Sequence, residues 1–202
     1  MSVALAVDTA SSDIALAFAV DGEVAGSLAL DGSQDHSKLL LRAIDELLGP
    51  LRERLSAIVV TRGPGSYAGL RVGIATAQGL GLARGIPVRG IPTMESVAKA
   101  SGLESFTAIH PAGRGEFAAQ EFAGGSAVGR LRSVRPEELR DLVIAGEHAG
   151  AMGGLEISPE ARCRAGLERS LRRLDEVDAT ATGAIYLREP NITTPRRPAA
   201  SR

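Results

Sequence analysis

The sequence has 202 residues and a formal net charge of −1, and 44% of its residues are hydrophobic although only 3% are aromatic. This length allows one large domain or two small ones with an aliphatic core, and the near-neutral charge argues against a chain that binds nucleic acid by itself. The single cysteine excludes an intramolecular disulfide. No run of about 18 apolar residues predicts a membrane helix and no signal peptide is recognisable, so we expect a cytoplasmic protein without a membrane partner.

The N-terminal region predicts three consecutive β-strands, at residues 3–7, 14–20 and 23–30. The first is a continuous apolar run, which is typical of a strand buried on both faces. Asp21-Gly22 lies between the second and third strands and predicts a two-residue hairpin turn.

Residues 36–48 predict an amphipathic helix, with Asp35 as its N-cap and Gly49-Pro50 as its stop signal. Its apolar residues recur at helical spacing along one stripe. His36 could begin a metal site, but Leu40 occupies the position one turn later, and neither other histidine lies near it in sequence. We therefore interpret His36 as an exposed or capping residue.

A strand–turn–helix unit occupies the middle of the chain. Residues 58–61 form a β-branched run that predicts a buried strand, and residues 69–83 predict a helix rich in small residues. Between them, the turn with Gly63 and Gly65 could hold a phosphate at the helix N-terminus or allow tight packing of strand against helix. No lysine follows the glycines and no GxGxxG motif is present, so the known phosphate-loop sequences do not match.

The remaining residues alternate between strand and helix patterns, which is typical of an α/β fold with right-handed crossovers. Strands are expected at residues 86–91, 106–109, 116–122 and 142–146, helices at 93–100, 135–139, 161–174 and 179–188, and a turn at 110–115. Thr93 is a suitable cap for the helix at 93–100. Cys163 lies between two arginines that could lower its thiol pKa, but no histidine or aspartate is near, and we interpret it as incidental.

The loop after the first strand contains Asp8, Thr9 and Ser11, an acid followed by small hydroxyl residues. This opening resembles the actin, sugar-kinase and Hsp70 superfamily, in which the loop surrounds the phosphates of a nucleotide or their magnesium ion. A carboxylate can hold a hydrated metal, and small residues expose their backbone N–H groups. A hydrogen-bonded Asx turn is the structural alternative. With Gly63 and Gly65, these residues form a candidate vestigial nucleotide loop.

Four segments together are distinctive. They are AVDTASS at residues 6–12, DHSKLLLRAIDELL at 35–48, GPGSYAGLRVGIATAQGL at 63–80 and GRGEF at 113–117. They closely resemble the bacterial TsaB family, also called YeaZ, most densely over the N-terminal half. The resemblance implies a non-catalytic subunit that makes N6-threonylcarbamoyladenosine in tRNA together with the transferase TsaD and the ATPase TsaE, and that meets tRNA indirectly through this complex.

For the fold, the resemblance implies an α/β, actin-like (ribonuclease H-like) architecture with two lobes. The N-terminal lobe is expected at residues 1–100, with the C-terminal helix near 179–188 packing back on it. A smaller, reduced second lobe is expected at 101–178. The basic, proline-rich tail at 189–202 should be disordered.

The resemblance places the partner interface on two helices, which match residues 36–48 and 69–83 here. Both have more apolar or small surface than a solvent-exposed helix needs. Paired across a two-fold axis, they would form a four-helix contact, and the same surface would give a homodimer when TsaD is absent. The interface residues expected on these helices are His36, Leu39, Leu40, Ala43, Ile44, Leu47, Leu70, Ile74, Ala75, Ala77 and Gly81.

We expect no catalytic residue, metal or cofactor in this chain. The transferase of the family holds its metal through a His-x-x-x-His pair, and this sequence has no such pair. Residues 110–117 also depart from the family pattern, Asp-Ala-Arg before Gly-Glu-Val-Tyr, because the acid is missing. The alternative is a small ATPase or small-molecule kinase of the actin and sugar-kinase superfamily, but no convincing second-lobe acid is evident. A metallopeptidase would need zinc ligands, and the chain has only three scattered histidines.

Overall fold

Two mixed β-sheets form the framework of the protein. The computed structural model describes residues 1–31, 36–171 and 182–187. The strands of the first sheet are β1 (Val3–Asp8), β2 (Asp13–Val20), β3 (Glu23–Asp31), β4 (Leu55–Thr61) and β5 (Val88–Ile91). Their order is β3–β2–β1–β4–β5, with β1 to β3 antiparallel and β1, β4 and β5 parallel. Asp21 and Gly22 have φ angles of 48° and 86°, which confirms the predicted two-residue hairpin turn.

The central strand β1 is buried on both faces, as its continuous apolar run predicts. Val3, Leu5 and Val7 belong to the core on one side of the sheet. Ala4 and Ala6 belong to the core on the other side, where their small side chains leave room for a closely packed helix.

Two helices, α1 (His36–Leu48) and α2 (Tyr67–Arg84), cover the first of these faces. The bounds of α1 are those predicted from the sequence. Helix α2 begins earlier than predicted because the hydroxyl oxygen of Ser66 accepts a hydrogen bond of 3.2 Å from the N–H of Gly69 and caps the helix. It ends at Arg84, and the capping residue Gly85 that follows has a φ of 64°, which is typical of a helix C-terminus.

Two further helices, α3 (Thr93–Ser101) and α4 (Pro159–Leu171), lie between the sheets. Side chains of α4 enter the core of the first sheet, and side chains of α3 enter the core of the second. The two helices approach each other closely, because a Cβ added at Gly166 would lie 2.7 Å from the hydroxyl of Ser96. The α3–α4 pair therefore joins the two sheets.

The predicted cap of α3 is wrong. Thr93 is the first residue of the helix, and the N-cap is Pro92. The hydroxyl of Thr93 instead donates a buried hydrogen bond of 2.8 Å to the carbonyl oxygen of Pro64. Thr93 therefore fixes the turn between β4 and α2 rather than the start of its own helix.

The second sheet is smaller and less regular. Its strands are β6 (Ser105–Gly113), β7 (Glu116–Ala123), β8 (Ser126–Ala127), β9 (Arg132–Val134), β10 (Ile144–Gly146) and β11 (Leu155–Glu156). The order is β11–β10–β6–β7–β8, and β9 also pairs with β7. One face of this sheet packs on α3, and the other is covered by the segments around Leu139 and Met152.

The predicted turn at residues 110–115 is mostly strand. Strand β6 continues through Gly113, and only Arg114 and Gly115, with φ angles of 56° and 74°, form the turn. Strand β10 pairs with β6 only as far as Ile109, so the missing N–H of Pro111 leaves no ladder partner unsatisfied there. Residues 110–113 pair with β7, with a register shift between Pro111 and Gly113. This pairing extends the strand where the local sequence predicts a turn.

Residues 182–187 are not helical, which contradicts the helix predicted at 179–188 over this part of its length. The N–H of Ile185 donates a hydrogen bond of 2.6 Å to the carbonyl oxygen of Arg62, so this segment pairs with the first lobe instead of with itself. The rest of that helix, the end of the helix predicted at 161–174, the Asp35 cap and the tail at 189–202 lie outside the described residues. The division into lobes at residue 100 stays a prediction. Below, the first lobe means the first sheet with α1, α2 and α4, and the second lobe means the second sheet with α3 and its connecting segments.

Candidate functional site

The cleft between the two sheets contains a cavity of about 480 Å³ at the carboxyl end of β1. Ala10 to Ser12 and Pro64 to Tyr67 form its wall on the first lobe. His110 to Gly113, Glu147 and His148 form the wall on the second lobe, and Ile185 to Leu187 line it as well. A cavity of this size can hold a small molecule.

Asp8 lies at the end of β1 and is fully buried beside this cavity, where Arg162 of α4 binds both of its oxygens. The Nε of Arg162 donates to Oδ2 at 2.8 Å, and Nη2 donates to Oδ1 at 3.1 Å. Oδ1 also accepts a hydrogen bond of 2.9 Å from the N–H of Ala10, as in the Asx turn considered above. The carboxylate is therefore paired with a cation of the protein itself, in a bidentate geometry.

The remaining donors of Arg162 reach three other side chains. Nη2 donates to the hydroxyl oxygen of Ser11 at 2.8 Å, and Nη1 donates to Oε2 of Glu147 at 2.8 Å and to Nδ1 of His110 at 3.2 Å. The hydroxyl of Ser11 donates in turn to Oε2 of Glu147. All five N–H groups of the guanidinium thus have an acceptor, which satisfies a cation that is completely buried.

The hydrogen bonds of His110 define its neutral form. Its Nε2 lies 3.2 Å from the carbonyl oxygen of Ala10 and must donate to it, so Nδ1 carries the lone pair that accepts from Arg162. Burial, and then the positive charge of Arg162, lower the pKa of His110 to about 4. The imidazole is therefore an uncharged acceptor at neutral pH.

The two carboxylates of the cluster are ionised at neutral pH. Burial raises the pKa of Asp8, but the charge and the hydrogen bonds of Arg162 outweigh burial and bring it below its usual value. Burial also raises the pKa of Glu147, but the charge of Arg162 and the hydrogen bonds from Arg162 and Ser11 outweigh burial and bring it below its usual value. The cluster of Asp8, Glu147, Arg162 and neutral His110 thus carries one excess negative charge.

Two residues of the candidate nucleotide loop pack the loop against α2. The hydroxyl of Thr9 is buried and donates to the carbonyl oxygen of Gly69 at 2.8 Å. A Cβ added at Gly65 would lie 2.6 Å from the carbonyl oxygen of Ala10, so a glycine is needed for close approach of these two loops. Gly63 has a φ of 108° and faces the backbone of residue 185. The structure thus brings together Asp8 and Ser11 in the cluster, whereas the other predicted loop residues serve packing.

Most of the side chains expected at the partner interface are buried in the core of the protein. These buried residues are Leu40, Ala43, Ile44, Leu70, Ile74, Ala77 and Gly81. Leu39 and Leu47 are half-buried against the same core, and Ala75 is exposed. His36 begins α1, but its side chain lies outside the described part of the structure. The interface stays a prediction. The buried residues cannot contact a partner directly and could contribute only by positioning the exposed residues of the two helices.

Other apolar residues form the exposed face of α1 and α2. Leu82 of α2 is 87% exposed, and Leu41 of α1 is 53% exposed. Gly79 and Ala75 lie one and two turns before Leu82 on α2 and are exposed as well. These four residues are called the α1–α2 face below.

Arg162, Glu147 and His110 are the site residues that sequence reasoning missed. A second-lobe acid that the sequence did not reveal reaches the cleft, because Glu147 follows β10 and faces the cavity, where it accepts a hydrogen bond from Arg162. The arginines beside Cys163 do not lower the pKa of its thiol, because burial raises it well above the usual value. Among the described residues, no three histidine, cysteine or acidic side chains are placed to hold a metal ion, and no helix is long and apolar enough to cross a membrane.

Comparison with known proteins identifies relatives of this chain. A family model described as TsaD, tRNA N6-adenosine threonylcarbamoyltransferase, matches residues 28–129. An uncharacterised protein of Mycobacterium leprae is 30% identical over 202 residues, which cover 95% of this chain and 56% of that protein. The tRNA threonylcarbamoyladenosine biosynthesis protein TsaB of Escherichia coli is 34% identical over 98 residues, which cover 47% of this chain and 42% of that protein.

A solved structure shares the fold. YeaZ from Pseudomonas aeruginosa matches with a TM-score of 0.72 and 24% sequence identity, and the match covers 93% of this chain and 100% of that chain. This likeness confirms the predicted mixed α/β, actin-like and ribonuclease H-like fold. The chain spans about half the length of the curated relatives it matches. The family model, the relatives and the fold agree, and the chain belongs to the TsaB (YeaZ) family.

Proposed function

We propose that this protein is a non-catalytic subunit in the biosynthesis of N6-threonylcarbamoyladenosine in tRNA. In this role it binds and activates the transferase TsaD, together with the ATPase TsaE, in the cytoplasm. The observation that carries the proposal is the relationship to a TsaB protein that is named for this pathway. The family match at residues 28–129 includes the whole of α1 and α2, the helices to which we assign the contact with TsaD.

The α1–α2 face supports this assignment by its chemistry. A leucine that is 87% exposed, as Leu82 is, costs hydration free energy in a free monomer. Ala75 and Gly79 have a small side chain or none, so that another helix can approach the backbone of α2 closely. Leu41 is a further exposed leucine, on α1. An apolar surface made of two helices suits a helical partner surface or a second copy of this chain, which would form the homodimer when TsaD is absent.

The alternative function, an ATPase or a small-molecule kinase, requires Asp8 to hold a metal or a water that holds one. Both oxygens of Asp8 already accept hydrogen bonds from Arg162, and the surrounding cluster has a net negative charge. A nucleotide triphosphate would have to displace the guanidinium and overcome this charge. The geometry of the cleft therefore favours the subunit over the enzyme.

A reconstituted modification assay tests the proposal. The assay contains TsaD, TsaE, the enzyme that makes threonylcarbamoyl-AMP and unmodified tRNA, with this chain present or omitted, and mass spectrometry of nucleosides measures the product. The proposal predicts that modified adenosine forms only when this chain is present. Equal product without the chain would contradict it, and calorimetry with MgATP would then test the enzyme alternative.

A pair of variants tests whether the α1–α2 face makes the contact. Ala75→Glu places a charge on this face and should abolish both TsaD binding in a pull-down and product formation. Ala161→Glu is the matched control, since Ala161 is an exposed helical alanine on α4, behind the opposite face of the first sheet. Retained tight binding by Ala75→Glu would exclude this face as the interface.

A further inference from the structure

Arg162 connects the two lobes directly. It belongs to α4, which packs on the first sheet, and it binds Asp8 and Ser11 of the first lobe through Nε and Nη2. Its Nη1 binds Glu147 and His110, which belong to the second sheet and its loops. One rigid, planar group therefore makes short hydrogen bonds to both walls of the cleft.

These hydrogen bonds are shielded from water. The side chain of Arg162 is 1% exposed, that of Asp8 is 0% exposed and that of Glu147 is 13% exposed. An exposed ion pair contributes little stability, because water can replace either partner. A buried charge that loses its partner is costly, because no water is present to replace that partner. Opening the cleft would separate Nη1 of Arg162 from Glu147 and His110, and water would have to replace both of these hydrogen bonds.

A second connection crosses the same gap. The hydroxyl of Ser11, on the first lobe, donates to Glu147 of the second lobe, and the ring of His110 donates to the carbonyl oxygen of Ala10. Both contacts join the loop after β1 to the second lobe beside the cavity. The α3–α4 pair joins the sheets deeper in the molecule, so the lobes are joined at more than one place.

We propose that Arg162 is an internal crosslink that holds the cleft at one width without any ligand. The protein then behaves as one rigid body, and its cleft neither opens nor closes when nucleotide is added. This inference does not depend on the proposed function, because it concerns the relative position of the two lobes in the isolated chain.

Glu147→Ala is the variant that tests the crosslink. It removes the main acceptor on the second lobe but leaves the pair of Arg162 with Asp8 intact. Glu137→Ala is the matched control, because Glu137 is an exposed second-lobe carboxylate that does not line the cavity. Ser11→Ala is a milder second variant that removes a contact across the cleft if Glu147→Ala does not fold.

The measurement is the distance between spin labels on the two lobes, by pulsed electron resonance. The labels are attached through Glu23→Cys in β3 and Ala123→Cys in β7, both exposed, while the native cysteine is buried. The unaltered cleft should give one narrow distance distribution that does not change with MgATP. Glu147→Ala, or Ser11→Ala to a smaller degree, should broaden or shift the distribution, and Glu137→Ala should not. The proposal is overturned if the cleft variants give the control distribution or if MgATP shifts the distribution of the unaltered cleft.

Discussion

The hydroxyl of Thr9 donates a hydrogen bond of 2.8 Å to the carbonyl oxygen of Gly69. This bond joins the loop after β1 to the first turn of α2, across a separation of 60 residues. The same hydroxyl lies where a Cβ at Gly73, one turn further along α2, would be. The small residues at the start of α2 therefore let the helix lie directly on the loop that also carries Asp8 and Ser11.

Gly73→Ala should destabilise the protein although alanine favours a helix. The added Cβ would overlap the hydroxyl of Thr9, which is held in place by its hydrogen bond to Gly69. Overpacking of this kind costs about 1–3 kcal/mol. Chemical denaturation of the variant should show a correspondingly lower free energy of unfolding.

Gly79→Ala is the control for this prediction. Gly79 lies in the same helix with no atom within 4 Å of an added Cβ, so alanine should stabilise the protein by up to about 1 kcal/mol. The double variant Thr9→Ala with Gly73→Ala should recover part of the loss, because the clashing hydroxyl is gone. If Gly73→Ala proved as stable as Gly79→Ala, the close contact with Thr9 would be wrong.

Local sequence patterns predicted the elements well where the signal is local. The bounds of α1 and the hairpin at Asp21-Gly22 follow from helical spacing and turn chemistry within a few residues of each other. The pairing of Asp8 with Arg162 spans 154 residues, and Arg162 stands in an arginine-rich stretch that reads as a solvated helix face. Nothing local distinguishes it from its exposed neighbours, so the centre of the cleft could not be predicted.

Burial also decides which interface residues the sequence could identify. Apolar periodicity marks the face of α1 that is removed from water, but it cannot say whether the protein's own sheet or a partner removes it. The structure assigns Leu40 to the core and leaves Leu41 exposed. Leucine at neighbouring positions thus has two different roles.

Leu40→Asp and Leu41→Asp should therefore differ strongly in their effect on stability. Leu40 is 0% exposed, and a carboxylate there would be buried without a partner, so we expect a loss of more than about 4 kcal/mol or no folded protein. Leu41 is 53% exposed, and Leu41→Asp should change the free energy of unfolding by less than about 0.5 kcal/mol. Thermal melting of the two variants measures the difference, and a stable Leu40→Asp would contradict the packing of α1.

The thiol of Cys163 should be unreactive in the folded protein. It is buried against β2, where its Sγ lies 3.4 Å from the carbonyl oxygen of Ala15, and burial raises its pKa well above the usual value. A thiol reagent at pH 8 should label the native protein only at the rate of unfolding, and should label one thiol per chain in denaturant. Rapid labelling without denaturant would show that α4 does not pack on the first sheet as described.

Acidification should destabilise the protein between pH 6.5 and about pH 4, through His110. The pKa of His110 is about 4 in the folded protein and near 6.5 when unfolded, so in this range only the unfolded chain binds the proton. The stability that neutral His110 contributes is therefore fully present above pH 6.5 and is lost as the pH falls toward 4. Each pH unit costs about 1.4 kcal/mol, which gives a loss of about 3 kcal/mol in total. The lowered pKa values of Asp8 and Glu147 add to the loss at still lower pH.

His110→Asn isolates this contribution, because the amide oxygen can take the place of Nδ1 as an acceptor for Arg162 and does not titrate. The variant loses the bond to the carbonyl oxygen of Ala10 at every pH, so the slope of stability against pH is the informative quantity. Urea denaturation from pH 4.5 to 7.5 should give a slope that is shallower by about one proton than in the unaltered protein. An unaltered slope in His110→Asn would mean that the buried imidazole does not control the acid sensitivity of the cleft.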